Sequence, residues 1–164
     1  AFTGVEHRLE PVATVDGVRF INDSQGTQPD AVIAALRAFD APIVLIAGGR
    51  DKGIDLTALA PVVAERAAAA VLIGESGPAL EHSFRAAGLA RTDRAGTLEE
   101  AVAMADAIAR ELLVAGGDGP GPATVLLSPA AASFDMFVDY AARGRAFKTA
   151  VAALAAARTG EGNR

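Results

Sequence analysis

The sequence predicts an α/β domain, a Rossmann-like three-layer sandwich whose mostly parallel sheet of about six strands carries helices on both faces. Short apolar runs alternate with helix-patterned segments along the 164 residues, and this alternation is typical of a parallel sheet. The runs at 43–47 and 124–127 are almost entirely apolar, as expected for strands buried on both faces. We predict one domain over residues 1–158 and a disordered tail at 159–164.

A β-hairpin and a helix are predicted first. The Asp16-Gly17 pair is a turn signal between a strand at 8–15 and a strand at 18–21. A proline at position 29 suits the first turn of a helix, and the apolar residues after it have helical spacing: Val32, Ile33, Leu36 and Phe39. A second helix is predicted over 55–67, after the strand at 43–47.

The second half of the chain continues the alternation. It contains a strand at 70–73, a helix at 80–87, an edge strand near 89–92, a loop at 116–122 and a strand at 124–127. Thr97 and Glu100 form a capping-box pattern at the start of another helix. Ser133 is predicted to cap a last helix that runs toward Ala157 and is interrupted near Gly144.

Composition limits the function classes. The chain has 51% hydrophobic residues, no cysteine and a net charge of −5. The lack of cysteine excludes a disulfide framework and a thiolate metal ligand, and the negative charge disfavours a nucleic-acid-binding surface. No apolar stretch approaches the roughly 20 residues of a membrane span, so we expect a cytoplasmic protein. The first residue is Ala1 rather than methionine, which fits a trimmed initiator or a fragment of a longer protein.

Polar clusters that contain glycine follow three of the predicted strands. They occupy residues 22–27, 48–53 and 128–135. Ligands of open α/β sheets bind beyond the carboxyl ends of the strands. We therefore expect the three clusters to meet in one binding crevice.

Two residues of the first cluster have alternative interpretations. The Asp23 carboxylate suits ribose hydroxyls or a hydrated Mg²⁺, or else it caps a local turn. Thr27 precedes a helix, where exposed N–H groups favour an anion, and an ordinary N-cap has the same pattern.

Lys52 lies in a loop with three glycines and is one of two lysines among fifteen Lys and Arg residues. Its ammonium suits a carboxylate or phosphate; the alternative is a solvated surface lysine. The loop is not a Walker P-loop, which requires Gly-Lys followed by Ser or Thr. The segment at 74–77 likewise lacks the full glycine fingerprint of a dinucleotide loop.

The remaining candidates lie at the two ends of the chain. Ser133 offers a hydroxyl and an N–H to a carboxylate, with Phe134 and Tyr140 either as walls of the same pocket or as core residues; Phe137 is assigned to the core. His7 and Arg8 form a second candidate pair. His82 is predicted to lie on the surface.

In this order and at these intervals, the clusters resemble the C-terminal domain of the Mur ligases. The resemblance is closest to the C-terminal domain of the members that add D-glutamate. The resemblance covers almost the whole chain and rests on four motifs: His7-Arg8-Leu9-Glu10, Asn22-Asp23-Ser24 with Thr27, Gly48-Gly49 with Asp51-Lys52-Gly53, and residues 127–135. The family usually has Asn-Asp-Ser-Lys-Ala-Thr-Asn, whereas this chain has Gln25, Gly26 and Gln28. Any role of that lysine is therefore not transferred.

The resemblance implies an ATP-dependent, amide-bond-forming ligase of peptidoglycan synthesis. In that family ATP phosphorylates the carboxylate of UDP-N-acetylmuramoyl-L-alanine, and the amine of D-glutamate attacks the acyl phosphate. ATP and Mg²⁺ are bound mainly by a central domain and the UDP moiety by an N-terminal domain, both expected to lie outside this chain. The isolated domain is therefore expected to be inactive, and we expect a monomer.

The resemblance also implies residue roles. Arg8 and Asp23 correspond to nucleotide contacts, and His7, close to the reacting phosphates, is the candidate catalytic residue. The D-glutamate site corresponds to Thr27, Lys52, Ser133, Phe134 and Tyr140, and no residue is assigned as a metal ligand. The alternatives are a free-standing, non-catalytic binding module for nucleotide or amino acid, or the same domain of another Mur or folylpolyglutamate-type ligase.

Overall fold

One six-stranded sheet forms the centre of the molecule. The computed structural model describes residues 4–51, 53–116, 122–133 and 136–162. The strands are β1 Glu10–Val15, β2 Val18–Asn22, β3 Ile43–Gly48, β4 Ala69–Ile73, β5 Thr92–Arg94 and β6 Ala123–Leu127. Their order is β1-β2-β6-β3-β4-β5, and every neighbouring pair is parallel except β1 and β2. The predicted mostly parallel sheet is confirmed.

Helices cover both faces of this sheet. In the described part of the chain they are α1 Pro29–Arg37, α2 Leu59–Arg66, α3 Gly77–Ala86, α4 Leu98–Ala115 and α5 Tyr140–Gly162. α1, α2 and α3 pack on one face, and α4 and α5 pack on the other. Neighbouring residues of a strand serve opposite cores: Phe20 packs toward α4 and α5, and Ile21 packs toward α1 to α3. The predicted three-layer arrangement is therefore confirmed.

The predicted hairpin turn is confirmed. Val15 pairs with Val18 across the turn, and Asp16 and Gly17 have φ values of 51° and 81°. Positive φ at both central residues is the requirement of a type I′ turn, which matches the right-handed twist of the strands.

The predicted cap of α4 is confirmed in one of its two hydrogen bonds. The Thr97 hydroxyl oxygen accepts a hydrogen bond from the Glu100 amide at 3.1 Å. The Glu100 carboxylate accepts from the amide of Gly96, one residue before the cap, at 3.0 Å. The reciprocal bond is therefore shifted by one residue from the capping-box pattern.

Several predicted boundaries differ from the structure. α2 is shorter than the predicted helix at 55–67, and α3 begins at Gly77, three residues before the predicted start at Leu80. The edge strand lies at Thr92–Arg94 rather than 89–92. Most of the predicted loop at 116–122 lies outside the described residues.

The prediction for the last helix was wrong at three points. α5 begins at Tyr140, because the Ser133 carbonyl accepts from Met136 and Phe137 in a separate turn, and Asp139 accepts from the Ala142 amide at 2.7 Å. The helix passes through Gly144 without interruption and continues past Ala157 to Gly162. This segment is rich in alanine, the strongest helix former. Residues 159–162 of the predicted tail are helical, and 163–164 lie outside the described residues.

None of the helices in the described ranges combines the length and apolar character needed to cross a membrane.

Candidate functional site

Three loops at the carboxyl ends of β2, β3 and β6 meet through backbone hydrogen bonds. The amide of Gly48, at the end of β3, donates to the carbonyl of Pro129 at 2.8 Å. The amide of Ala130 donates to the carbonyl of Gly26, in the loop after β2, also at 2.8 Å. The polar clusters predicted from the sequence are therefore joined at one edge of the sheet.

Two glycines allow close backbone approach at this edge of the sheet. A Cβ on Gly26 would lie 2.6 Å from Asp23 Oδ2 and closer still to Ser128 Oγ. Gly48 has a φ of 119°, and a Cβ there would lie 2.9 Å from the carbonyl carbon of Ile73. Because carbon atoms pack at about 3.5–4.0 Å, a side chain at Gly26 would push the loops after β2 and β6 apart, and a side chain at Gly48 would push the ends of β3 and β4 apart.

Asp23 connects the amino-terminal segment to the loop after β6. Its Oδ1 accepts from the Leu9 amide at 3.1 Å and its Oδ2 from the Ser128 hydroxyl at 2.7 Å. Burial raises the pKa of Asp23 above its ordinary value, although these two hydrogen bonds and the nearby charge of Arg8 oppose the rise. Asp23 is 4% exposed, and its two hydrogen bonds tether the amino-terminal segment to the loop after β6.

The local turn-capping role belongs to a neighbouring residue. The amide of Ser24 donates to Asn22 Oδ1 at 3.2 Å, which is the Asx-turn interaction that was one interpretation of Asp23. Asp23 itself bonds to residues that are distant in the sequence.

His7 is buried, and both ring nitrogens have partners within the domain. Asn22 Nδ2 donates to Nδ1 at 2.8 Å; the amide orientation follows from Asn22 Oδ1, which accepts from Ser24. Nδ1 is therefore an acceptor, and the ring hydrogen is on Nε2, 3.1 Å from the Glu6 carboxylate. The ring meets Tyr140 edge-on with centroids 6.0 Å apart.

A partly exposed cluster of one lysine and two glutamates lies beside His7. Lys148 Nζ is 3.1 Å from carboxylate oxygens of both Glu6 and Glu10. Burial alone would raise the pKa of Glu10, but hydrogen bonds from Lys148, Asn22 and the His7 amide together lower it. Burial would likewise lower the pKa of Lys148, and the two carboxylates outweigh it and raise that pKa. These groups hold the segment that carries Arg8 against α5.

Arg8 is exposed on this segment, between two residues with unusual backbone conformation. His7 has a φ of 67° and Leu9 a φ of 46°. A non-glycine residue in this region costs on the order of 1–3 kcal/mol and persists only where surrounding contacts impose it. Here the contacts of His7 with Asn22 and of Leu9 with Asp23 impose it, which leaves the Arg8 side chain exposed beside the joined loops.

Two of the predicted D-glutamate ligands, Thr27 and Ser133, lie on these same loops, and Tyr140 begins α5. Thr27 is half-buried and precedes Gln28, the N-cap of α1, whose side chain makes no capping hydrogen bond. Ser133 is buried and follows the bridge between Arg50 and Ala132. Tyr140 is 40% exposed. Lys52 and Phe134 lie outside the described residues.

Residues that the sequence did not indicate support these loops. The Ser76 hydroxyl accepts from the Gly49 amide at 3.0 Å, and the Glu75 carboxylate accepts from the Asp51 amide at 3.0 Å. Both belong to the 74–77 segment, which lacks a dinucleotide fingerprint. Its use is to hold the loop after β3, and no sequence motif marks such a contact. Arg143, which is also buried, is treated below.

A wide groove lies elsewhere. It has a volume of about 560 Å³ between α2 and α3 and includes Leu56, Pro61 and His82; His82 is exposed, as predicted. None of the predicted site residues that the structure describes lines it. A smaller space of about 40 Å³ lies beside the joined loops, against Arg50, Ser76 and Ala130 among others.

Comparison with known proteins identifies the family. The model of a family described as "Mur ligase, glutamate ligase domain" matches residues 7–131, which include the loops after β2 and β3 and the start of the loop after β6. The chain belongs to the Mur ligase glutamate ligase domain family. The family predicted from the sequence motifs is thus confirmed.

Two relatives of this Mur ligase domain have the same name. It is 48% identical over 153 residues to the UDP-N-acetylmuramoylalanine–D-glutamate ligase of Symbiobacterium thermophilum, covering 93% of the chain and 32% of that protein. It is 48% identical to the enzyme of the same name from Pelotomaculum thermopropionicum, with 93% and 31% coverage. The chain therefore spans about a third of the length of these relatives.

Solved structures share the fold of this Mur ligase domain. A folylpolyglutamate synthase from Mycobacterium tuberculosis, complexed with ADP and AMPPCP, matches with a TM-score of 0.63 at 14% identity, covering 90% of the chain and 32% of that protein. The folylpolyglutamate synthase of Thermotoga maritima matches with a TM-score of 0.53 at 12% identity, covering 77% of the chain and 28% of that protein. The predicted fold class is confirmed by these matches.

Proposed function

We propose that this chain is the C-terminal domain of an ATP-dependent ligase that adds D-glutamate to UDP-N-acetylmuramoyl-L-alanine in peptidoglycan synthesis. The observation that carries the proposal is the 44–48% identity to D-glutamate ligases over at least 92% of the chain, a stretch that includes all three joined loops. In the proposed reaction, ATP phosphorylates the UDP-substrate carboxylate. The D-glutamate amine then displaces phosphate, so the products are the amide, ADP and phosphate.

The D-glutamate site is proposed at the joined loops. A substrate with two carboxylates needs several donors held at fixed separations. Thr27 and Ser133 offer hydroxyls, Lys52 offers a mobile ammonium, and Phe134 and Tyr140 would flank the bound amino acid. The open amino terminus of α1, where the N-cap side chain makes no hydrogen bond, adds backbone N–H groups and the positive end of a helix dipole near Thr27.

The nucleotide side of the site is proposed at Arg8. Its exposed guanidinium suits phosphate recognition, and the strained backbone on either side of it is the kind of feature that accompanies a functional position. Asp23 supports this role because it accepts from the amide of Leu9, next to Arg8. We propose that Asp23 acts mainly through that tether.

His7 supports the same segment. Its ring nitrogens are occupied by Asn22 and Glu6, so we propose that His7 holds Arg8 in place near the phosphates and does not transfer a proton.

We propose that magnesium is bound mainly outside this domain. Among the described residues, no three His, Asp or Glu side chains lie together as metal ligands would, and both oxygens of Asp23 accept hydrogen bonds from protein groups. We propose that Mg²⁺ and most contacts to ATP are provided by a central domain, and the UDP contacts by an N-terminal domain. The isolated chain is then inactive; a cytoplasmic location and a monomeric state stay predictions from the sequence.

A chemical-shift titration of the ¹⁵N-labelled chain with D-glutamate, and with L-glutamate as control, tests the amino-acid site. We expect shifts confined to amides near Thr27, Lys52 and Ser133, and with the D isomer only. Equal shifts with both isomers would contradict the D-glutamate assignment and favour a module or ligase of other specificity.

Kinetics of the full-length enzyme provide the test that does not depend on the isolated domain. Lys52→Ala should raise the KM for D-glutamate on the order of tenfold or more and leave the KM for ATP within about twofold, because a charge-assisted hydrogen bond to one substrate is lost. Equal changes in both KM values would argue against the proposed role of Lys52. A full-length protein that forms no amide from D-glutamate would overturn the proposed function itself.

A further inference from the structure

Arg143, at the end of the first turn of α5, is a charged residue that is only 1% exposed. Its Nε donates to the Ser24 hydroxyl at 3.0 Å and its Nη2 to the Ser24 carbonyl at 2.9 Å. Nη1 donates to the carbonyl of Ala131 at 3.0 Å. A buried guanidinium is stable only where its N–H groups are hydrogen-bonded, and these contacts meet that requirement with polar groups of the site loops.

The guanidinium lies where the three loops come together. Ser24 belongs to the loop after β2, and Ala131 belongs to the loop after β6. The loop after β3 reaches the same point, because a Cβ on Gly49 would lie 3.2 Å from Nη1. One side chain therefore contacts or closely approaches every loop that carries a predicted D-glutamate ligand.

The shape of the side chain explains why an arginine occupies this position. The guanidinium is planar and its N–H groups point in fixed directions. When these groups bond to Ser24 and Ala131, they fix both the separation and the relative orientation of the two loops. The Ser24 hydroxyl in turn donates to the Tyr140 carbonyl at 2.6 Å, which links the same contacts to the start of α5.

We propose that Arg143 is a positioning residue for the D-glutamate site: it sets the separation of the loops that carry Thr27 and Ser133 without contacting the substrate. This inference rests on the proposed function of the loops. It extends that function by assigning the geometry of the site to a residue that is buried behind it and has no surface for a ligand.

Steady-state kinetics of the full-length enzyme test the proposal with two substitutions. Arg143→Lys keeps the positive charge and loses the planar guanidinium group. Arg143→Met keeps a similar volume and loses both the charge and the guanidinium group. We expect both variants to raise the KM for D-glutamate about tenfold or more, with the KM for ATP within about twofold, because misplaced donors weaken contacts to one substrate. An Arg143→Lys enzyme with an unchanged KM for D-glutamate would overturn the proposal.

Arg158→Lys is the matched control. Arg158 lies on the same helix, is largely buried, and pairs with Asp106 and Asp16, at the opposite end of the sheet from the site. We expect this variant to lower Tm without a selective change in the KM for D-glutamate. If it changes the KM values as Arg143→Lys does, the effect of Arg143 is general destabilisation and the proposal is wrong.

The Lys52→Ala enzyme separates this proposal from the function on which it rests. A raised KM for D-glutamate in Lys52→Ala with a normal value in Arg143→Lys would reject the positioning role alone. An enzyme that uses no D-glutamate in any form would reject both.

Discussion

Replacement of Gly144 by alanine tests whether α5 is fitted to the His7 ring. Gly144 is inside a helix, where the exchange of glycine for alanine normally stabilises by about 1 kcal/mol. Here a Cβ would lie 2.7 Å from His7 Cε1, 3.0 Å from Cγ and closer still to Nδ1. Carbon atoms normally approach to about 3.5 Å, so either the ring or the helix must move. We expect Gly144→Ala to destabilise the domain.

The expected size of the loss follows from the contacts of the ring. Movement of the ring breaks the buried hydrogen bond between Asn22 and Nδ1, 2.8 Å long, at a cost of about 1–3 kcal/mol. Crowding of a packed site costs a further 1–3 kcal/mol, roughly. After subtraction of the roughly 1 kcal/mol gained in helix propensity, Gly144→Ala is expected to lower the unfolding free energy by about 1–5 kcal/mol.

Urea unfolding followed by circular dichroism at 222 nm measures this loss, since the chain has no tryptophan and a single tyrosine. In a His7→Gly background, which removes the ring and tolerates the positive φ, the same Gly144→Ala change should become stabilising. Gly77→Ala is the matched control, because a Cβ there meets Leu72 at an ordinary 3.6 Å. The reasoning is refuted if Gly144→Ala stabilises the wild-type chain or if its effect is the same with and without the ring.

Three further predictions concern the groups around Arg8. Folding lowers the pKa of Glu10, so its carboxylate stabilises the fold above its ordinary pKa of 4.5, and this contribution is lost as pH falls. Glu10→Gln should therefore flatten the fall in unfolding free energy between about pH 5 and 3. An unchanged dependence of the unfolding free energy on pH would contradict this prediction. Folding raises the pKa of Asp23, so its protonated form stabilises the fold at low pH, and this contribution is lost as pH rises through the raised pKa. A ¹³C-carboxyl NMR titration of Asp23 should show a midpoint above 3.8, and Ser128→Ala should raise that midpoint further. A midpoint at or below 3.8 would contradict this prediction. Arg8→Ala in the full-length enzyme should raise the KM for ATP about tenfold or more and leave the KM for D-glutamate nearly unchanged; unaffected ATP kinetics would reject the proposed nucleotide contact.

The fold could be predicted well because its signals are local. The apolar runs that became β3 and β6, the turn at Asp16 and Gly17 and the cap at Thr97 each act within a few residues. The common edge of the three polar clusters followed from a general property of parallel sheets. These rules required no knowledge of which strands are neighbours.

The supporting residues of the site could not be predicted because their partners are distant in the sequence. Arg143 bonds to Ser24, 119 positions away, and Ser76 bonds to Gly49, 27 positions away. Gly144 was taken as an interruption of α5 since glycine is a poor helix former; its actual use, space for the His7 ring, exists only in the folded chain. The type of each residue was visible in the sequence, and its partner was not.

The central position of β6 has a consequence for synthesis of the protein. β6 lies between β2 and β3 in the sheet, although it follows both of them along the chain, and it brings Ser128 to Asp23 from 105 positions away. During synthesis, β2 and β3 therefore leave the ribosome before β6, and the edge of each strand that β6 will cover stays unpaired until then. Unpaired strand edges are templates for aggregation. The proposed crevice cannot form until β6 has been synthesised, so a product that ends before β6 would have exposed strands and no binding site.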